Sequence, residues 1–138
     1  MATTARSVMS GNVEVIKVDE TVLDAAKRLA ELNVGAMPIC DGEKLQGMLT
    51  DRDIVTKVVA QGKDPAKVKA RELETGKPVT IGADDSIEEA MRTMAEHKVR
   101  RLPVIDGHKL IGVVSQADLA KALPKEKAGE LVAAISSD

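Results

Sequence analysis

Two short segments combine a hydroxyl residue with an aspartate three positions later, which are residue types that a nucleotide site needs. They are Thr50 to Asp53 and Ser115 to Asp118, and each follows an apolar run. The spacing is typical of a helix N-cap, and the free amides of a helix N-terminus suit a phosphate. The hydroxyl could add a hydrogen bond there, and an ionised aspartate can accept bonds from both hydroxyls of a ribose. The alternative is that both segments only cap their helices.

Arginines precede one of these segments and are missing before the other. Arg100 and Arg101 come directly before an apolar run, and guanidinium groups bind phosphate oxygens bidentately. They are equally explained as a solvated turn that complements the C-terminal dipole of the preceding helix. The corresponding residues of the first segment are Gly35 and Ala36, so a phosphate there would depend on Arg52 or on an arginine from the opposite repeat.

The two segments belong to a tandem duplication with an offset of 65 residues, as Pro38 and Pro103 illustrate. Between Ala5 and Ile54, 16 of 50 positions are identical to the residue 65 positions later, without a gap. We therefore divide the chain into repeat one (5–62), a linker (63–69), repeat two (70–123) and a C-terminal tail (124–138). The tail is weakly amphipathic over 125–135, and Pro124 is expected to end the helix before it.

Each repeat is predicted to run strand, helix, strand, strand, helix, which makes an α/β (α+β) fold. Asp41-Gly42 and Asp106-Gly107 each separate two apolar runs, a strong hairpin signal. Helices are predicted over 22–32 and 87–97 from apolar spacing. First strands are predicted over 13–18 and 78–81, and a helix from Thr50 to about Gly62. Gly112, near the end of its strand, is expected to permit a close backbone approach.

Composition excludes several classes of function. The chain has 138 residues, a net charge of −2 and no Phe, Tyr or Trp. It therefore lacks both the basic field and the stacking platforms of nucleic-acid-binding proteins. No apolar run is long enough to span a membrane, and we expect a cytoplasmic protein that binds neither nucleic acid nor membrane. The single Cys40 is expected to be buried, and with His97 and His108 it makes no zinc-ligand spacing. The sequence contains none of the common catalytic motifs and predicts no enzyme.

The element order, the hairpins and the Gly-x-x-Thr/Ser-x-x-Asp pattern of each repeat resemble the CBS domain. Two in tandem resemble a Bateman module over residues 5 to about 123, and the short chain is similar to the stand-alone bacterial pairs of the hypoxic response protein type. The resemblance implies a pseudo-twofold axis between repeats, clefts between them, and a homodimer. It also implies a non-catalytic regulatory role, with no required cofactor, an adenosyl ligand (AMP, ADP, ATP or S-adenosylmethionine) and an effector protein that the sequence does not identify.

The resemblance also suggests which residues surround the base of such a ligand. Without aromatic side chains, the base would be held by aliphatic contacts and backbone hydrogen bonds. The family geometry points to residues of the first strands and to those that precede the prolines, which are Val15, Ile16, Met37, Thr80, Ile81 and Leu102. The alternative is that all of them are core residues. On that interpretation the protein is a ligand-free dimeric scaffold or a stress-response interaction protein.

Overall fold

A computed structural model of the protein describes residues 3–73 and 78–123, together with Gly129 and Ala133. The described helices and strands, in chain order, are α1 (Ala5–Val8), β1 (Ile16–Lys17), α2 (Val22–Leu32), β2 (Ala36–Asp41), β3 (Lys44–Thr50), α3 (Asp51–Ile54), a π-helical segment (Val55–Val59), a 3₁₀ turn (Ala70–Leu73), β4 (Ile81–Gly82), α4 (Ile87–His97), β5 (Arg101–Asp106), β6 (Lys109–Ser115) and α5 (Gln116–Ala122). The expectations for Pro124 and, apart from Gly129 and Ala133, for the tail lie outside these residues.

The chain folds into two compact units, Glu14–Pro78 and Met1–Val13 with Val79–Asp138. In the unit Glu14–Pro78, β1 pairs parallel with β2, and β2 pairs antiparallel with β3. Helix α2 buries Val22, Ala25 and Leu29 against this sheet, at the spacing of one helix face. Its core is entirely aliphatic, since the chain has no aromatic residue.

The other unit repeats this arrangement with β4, β5, β6 and α4. The Asp-Gly hairpins are confirmed, because Gly42 and Gly107 take positive φ angles of 60° and 66° in the two turns. The helices predicted over 22–32 and 87–97 also have those bounds in the structure. Thr21 and Ser86 cap them by accepting hydrogen bonds from the amides three residues later, at 3.1 Å each. The predicted α+β repeat is therefore confirmed.

The predicted first strands are too long. Strand pairing covers Ile16–Lys17 and Ile81–Gly82, instead of 13–18 and 78–81. The Cys40 carbonyl of β2 accepts a hydrogen bond from the Val18 amide at 3.2 Å, so the backbone groups of Cys40 face β1. Alternate residues of a strand face the same neighbouring strand, and Pro38, two residues earlier, therefore also faces β1. Because proline has no N–H, the ladder cannot continue past it, and Pro103 has the same position in β5.

The helix predicted from Thr50 to Gly62 is also not one regular α-helix. It is α-helical over Asp51–Ile54 and π-helical over Val55–Val59, where the Ala60 amide donates to the Val55 carbonyl at 2.8 Å. Gly62 has a positive φ of 71° beyond it, as expected for a residue after a helix C-terminus. Periodicity alone does not distinguish these two kinds of helix.

The opening segment of each repeat packs in the compact unit that carries the other repeat. The Ala5 amide donates to the Asp85 carbonyl at 2.9 Å, and Arg6 forms a salt bridge with Asp84. At the corresponding place in Glu14–Pro78, the Ala70 amide donates to the Glu20 carbonyl, and Arg71 pairs with Asp19. The compact units therefore differ from the sequence repeats 5–62 and 70–123.

No helix among the described residues is long and apolar enough to cross a bilayer.

The close approach expected at Gly112 is present and generates a prediction. A Cβ atom at this position would lie 2.8 Å from the Ser10 carbonyl oxygen and would also collide with Met9 Sδ. We expect Gly112→Ala to lower the free energy of unfolding by about 1–3 kcal/mol, because the Ser10 backbone must move. Gly11→Ala is the control, since a Cβ at Gly11 meets nothing within 4 Å. Thermal unfolding followed by circular dichroism measures both, and equal stability of the two variants would contradict the prediction.

Candidate functional site

The Ser115 segment forms the capping box that its sequence predicts. Ser115 Oγ accepts a hydrogen bond from the Asp118 amide at 3.1 Å, and Asp118 Oδ2 accepts one from the Ser115 amide at 2.9 Å. Both side chains are half-buried at the start of α5. The reciprocal bonds fix the orientation of the hydroxyl and of the carboxylate. In the described part of the chain, no hydrogen bond to Asp118 Oδ1 is found.

The Thr50 segment forms only half of this arrangement. Thr50 Oγ1 accepts a hydrogen bond from the Asp53 amide at 3.0 Å, as expected for an N-cap. The Asp53 carboxylate instead forms a salt bridge with Lys57 one turn later, at 3.3 Å. The repeats therefore share the hydroxyl cap, but the two aspartates have different partners.

The structure brings Arg100 and Arg101 to the Ser115 cap. Arg101 lies directly opposite Ser115 in the register of β5 and β6. The Gln116 amide donates to the Arg100 carbonyl at 2.7 Å, which closes the end of the strand pair. Both arginines are exposed. The backbones of Arg100 and Arg101 thus lie beside the cap formed by Ser115 and Asp118, although these residues are up to 18 positions apart in sequence.

The end of the hairpin at Thr50, which corresponds to the Ser115 cap, differs from that cap in charge. Ala36 lies opposite Thr50, and the Asp51 amide donates to the Gly35 carbonyl at 2.9 Å. The Asp51 side chain lies beside Gly35, since a Cβ on that glycine would be 3.4 Å from Asp51 Oδ2. An aspartate therefore stands here where the other repeat has Gln116. Arg52, the cation predicted to serve this place, is exposed on the first turn of α3.

The residues predicted to surround a base lie in or beside the two cores. Ile16, Met37, Ile81 and Leu102 are at most 4% exposed and pack within the aliphatic clusters. Val15 and Thr80, just before the short strands β1 and β4, are half-buried. In this structure the four buried side chains serve the core. Contact of this set with a ligand stays a prediction, and for the buried residues it would involve the backbone.

Sequence reasoning missed an apolar cleft in the unit Glu14–Pro78. It lies between α2 and the segment from α3 into the π helix, and has a volume of about 450 Å³. The small residues Ala26, Ala30 and Gly35 line it, together with Asp51 and Val55. The duplication contained a signal for this cleft. Repeat two has the larger residues Met91 and Arg100 at the positions that correspond to Ala26 and Gly35.

The remaining candidates for metal or thiol chemistry lie apart from these sites. Cys40 is buried in β2 as expected, and its loss of solvation raises the pKa of the thiol. His97 and His108 are exposed. Over residues 3–73 and 78–123, with Gly129 and Ala133, no three His, Cys, Asp or Glu side chains form a group that could hold a metal ion.

Comparison with known proteins identifies close relatives of the chain. A model of the CBS domain matches residues 5–60 and again residues 70–125. Hypoxic response protein 1 of Mycobacterium tuberculosis is 45% identical over 136 residues, which cover 98% of this chain and 95% of that protein. A crystal structure of Hypoxic Response Protein I with two coordinated zinc ions has 46% identity and a TM-score of 0.80, and covers 88% of this chain and 100% of its own. CBSX2 in complex with AMP has 28% identity and a TM-score of 0.74, over 91% and 98% of the two chains.

The capping box generates a prediction for stability. Ser115→Ala removes the acceptor for the Asp118 amide, and we expect it to lower the free energy of unfolding by about 1 kcal/mol. Ser115→Thr is the matched control, since Thr50 caps the corresponding helix with its hydroxyl. Urea unfolding followed by circular dichroism measures the difference. Equal losses in the two variants would show that the hydroxyl does not act as the cap.

Proposed function

The chain belongs to the CBS-domain family, and from this membership we propose that it is a non-catalytic regulatory protein that binds an adenosine-containing ligand. The candidate ligands are AMP, ADP, ATP and S-adenosylmethionine. Binding would report the supply of that ligand to an effector protein. The observation that carries the proposal is the meeting of Arg100, Arg101, Ser115 and Asp118 at the start of α5.

Each group at this place suits one part of a nucleotide. Asp118 is held by the Ser115 amide through Oδ2, which leaves its other oxygen oriented to accept a ribose hydroxyl. The exposed guanidinium groups of Arg100 and Arg101 suit phosphate oxygens. The preformed orientation of Asp118 favours binding, since less side-chain freedom is lost when the ligand arrives.

A second candidate site is formed by Thr50, Arg52 and Asp53. It has one exposed arginine, whereas the site at Ser115 has two. The aspartate Asp51 beside Gly35 disfavours a phosphate there. We therefore expect the site at Ser115 to bind phosphorylated ligands with higher affinity than the site at Thr50. The AMP bound by CBSX2 supports an adenosyl ligand in a relative of the same fold.

The two zinc ions of the Hypoxic Response Protein I structure raise the question of a metal. The described residues do not fit one, because they contain no group of three suitable ligands. Cys40 is buried in the unit Glu14–Pro78, whereas His97 and His108 are exposed in the other unit. We assign no role to zinc in the proposed function.

A second candidate function is a ligand-free scaffold for protein interactions, including interactions in a stress response. It is favoured by the burial of Ile16, Met37, Ile81 and Leu102, whose side chains are already used by the cores. The capping bonds of Ser115 and Asp118 also stabilise α5 without any ligand. This function differs from the first in predicting no stabilisation by nucleotides.

Thermal unfolding with each ligand in turn distinguishes the two functions. At a hundred times its dissociation constant, a ligand that binds only the folded state contributes about 2.7 kcal/mol. For a chain of this length we expect a rise in Tm on the order of 10 °C. Circular dichroism is the suitable measurement, because the protein has no Trp or Tyr for fluorescence. No rise with any of the four ligands at millimolar concentration would contradict adenosyl binding and favour the scaffold.

Paired variants test the site assignment. Arg100→Gln with Arg101→Gln should abolish most of the stabilisation by a phosphorylated ligand, because both phosphate partners are removed. Arg92→Gln with Lys121→Gln is the matched control, since it removes two exposed cations from the same compact unit. Asp118→Asn tests the ribose contact, because the amide oxygen can still accept the Ser115 hydrogen bond. Full stabilisation in all three variants would overturn the assignment to this place.

A further inference from the structure

The residue that follows each hydroxyl cap is hydrogen-bonded to the residue that precedes the hairpin of the same repeat. The Asp51 amide donates to the Gly35 carbonyl at 2.9 Å, and the Gln116 amide donates to the Arg100 carbonyl at 2.7 Å. The two pairs occupy equivalent positions, because each residue of one pair lies 65 positions from its counterpart in the other. The same backbone contact therefore brings an aspartate to a glycine in one unit and a glutamine to an arginine in the other.

The Asp51 carboxylate has one oxygen bonded and the other directed toward Gly35. Asp51 Oδ1 accepts a hydrogen bond from the Arg52 amide at 2.8 Å. Asp51 Oδ2 is the atom nearest to the position that a Cβ on Gly35 would take, at 3.4 Å. No described residue donates a hydrogen bond to Oδ2 or forms a salt bridge with Asp51. An oriented carboxylate thus stands beside the position where repeat two begins an arginine side chain.

This carboxylate changes which ligand groups the Thr50 site favours. In the proposed mode of binding, the ribose lies on Asp53 or Asp118, and the group attached to the ribose lies near Gly35 or Arg100. Beside Arg100 this group meets a cation, which suits a phosphate. Beside Gly35 it meets the Asp51 carboxylate, which repels a phosphate and attracts a positively charged group.

Arg52 adds a charge of the opposite sign next to Asp51. Its side chain is exposed and forms no salt bridge with any residue that the structure describes. A carboxylate beside a guanidinium group suits a ligand group that carries both an ammonium and a carboxylate, as an amino acid does. Among the four candidate ligands, S-adenosylmethionine alone carries an amino acid group beyond its ribose, and its sulfonium adds a further positive charge. Repeat two has Ala117 at the position of Arg52 and lacks this pair of charges.

We infer that the residue after the hydroxyl cap selects between ligands by charge, and that Asp51 makes the Thr50 site specific for S-adenosylmethionine. Asp51 binds the ammonium group of this ligand, and Arg52 binds its carboxylate. Gln116 is uncharged and leaves the Arg100 guanidinium to phosphorylated ligands. The two sites therefore differ in ligand. The inference rests on the proposed function, since it assumes an adenosyl ligand at each site.

Isothermal titration calorimetry of the full chain with S-adenosylmethionine tests the role of Asp51. Asp51→Asn should raise the dissociation constant of this ligand about tenfold or more, because a charge-assisted hydrogen bond to the ammonium group becomes a neutral one. The asparagine oxygen can still accept the hydrogen bond from the Arg52 amide, so the start of α3 is preserved. Asp24→Asn is the matched control, since Asp24 is an exposed aspartate in the first turn of α2, and should leave the dissociation constant unchanged.

Gln116→Glu tests the same position in the other repeat, with AMP as the probe. The added carboxylate should raise the dissociation constant of AMP about tenfold, because it pairs with Arg100 and repels the phosphate. The same variant should bind S-adenosylmethionine as the wild type does. Loss of S-adenosylmethionine binding in the Arg100→Gln, Arg101→Gln variant would place this ligand at the Ser115 site and overturn the inference.

The titrations distinguish failure of the charge selection from failure of the proposed function. If neither AMP nor S-adenosylmethionine binds the wild type, both fail. If AMP alone binds, or if Asp51→Asn binds S-adenosylmethionine as tightly as the wild type, the charge selection alone fails. Circular dichroism of each variant shows that it is folded, so that a loss of binding is not a loss of structure.

Discussion

The constraint on which the structure depends is that neither repeat completes a core from its own elements. Ala5 is fully buried among Ile81, Leu102 and other residues of the unit that carries repeat two. Ala70 and Leu73 are buried in the same way in Glu14–Pro78. A repeat of about 60 residues buries only enough apolar surface to be marginally stable alone. The exchanged opening segments supply the missing contacts, and the glycine at position 112 allows one of them to lie close to β6.

This arrangement leaves the ends of the hairpins available for divergence. In both repeats the strand pair ends at a hydroxyl cap, and the residue opposite the cap is Arg101 in one and Ala36 in the other. Neither residue contributes to a core, so the two could diverge at little cost in stability. The hairpin end at Ser115 has two arginines, whereas the one at Thr50 has an aspartate and an adjoining cleft. The two repeats thus share a scaffold but differ in the chemistry of their surfaces.

The candidate site was predictable to the extent that it is local. Ser115 and Asp118 are three residues apart, and their reciprocal hydrogen bonds follow from the geometry of a helix N-terminus. The position of Arg101 beside Ser115 depends on the hairpin register, which the Asp-Gly turn indicated. The surroundings of a base were not predictable in this way. Ile16 and Leu102 are apolar whether they line a ligand or fill a core, so the sequence does not distinguish the two roles; in the folded protein both side chains are buried in the cores.

The sequence by itself determined the duplication, which its own identities reveal. It also determined the hairpins, the bounds of α2 and α4 and the helix caps, because each of these depends on interactions within a few residues. Tertiary structure decided the length of β1, since Pro38 of β2 ends the hydrogen-bond ladder only when β1 lies beside β2. It also decided which unit each opening segment joins, because hydrogen bonds such as that from Ala5 to Asp85 link residues far apart in sequence. Tertiary structure also decided the π-helical segment Val55–Val59, since the packing of Val58 in the core sets its orientation.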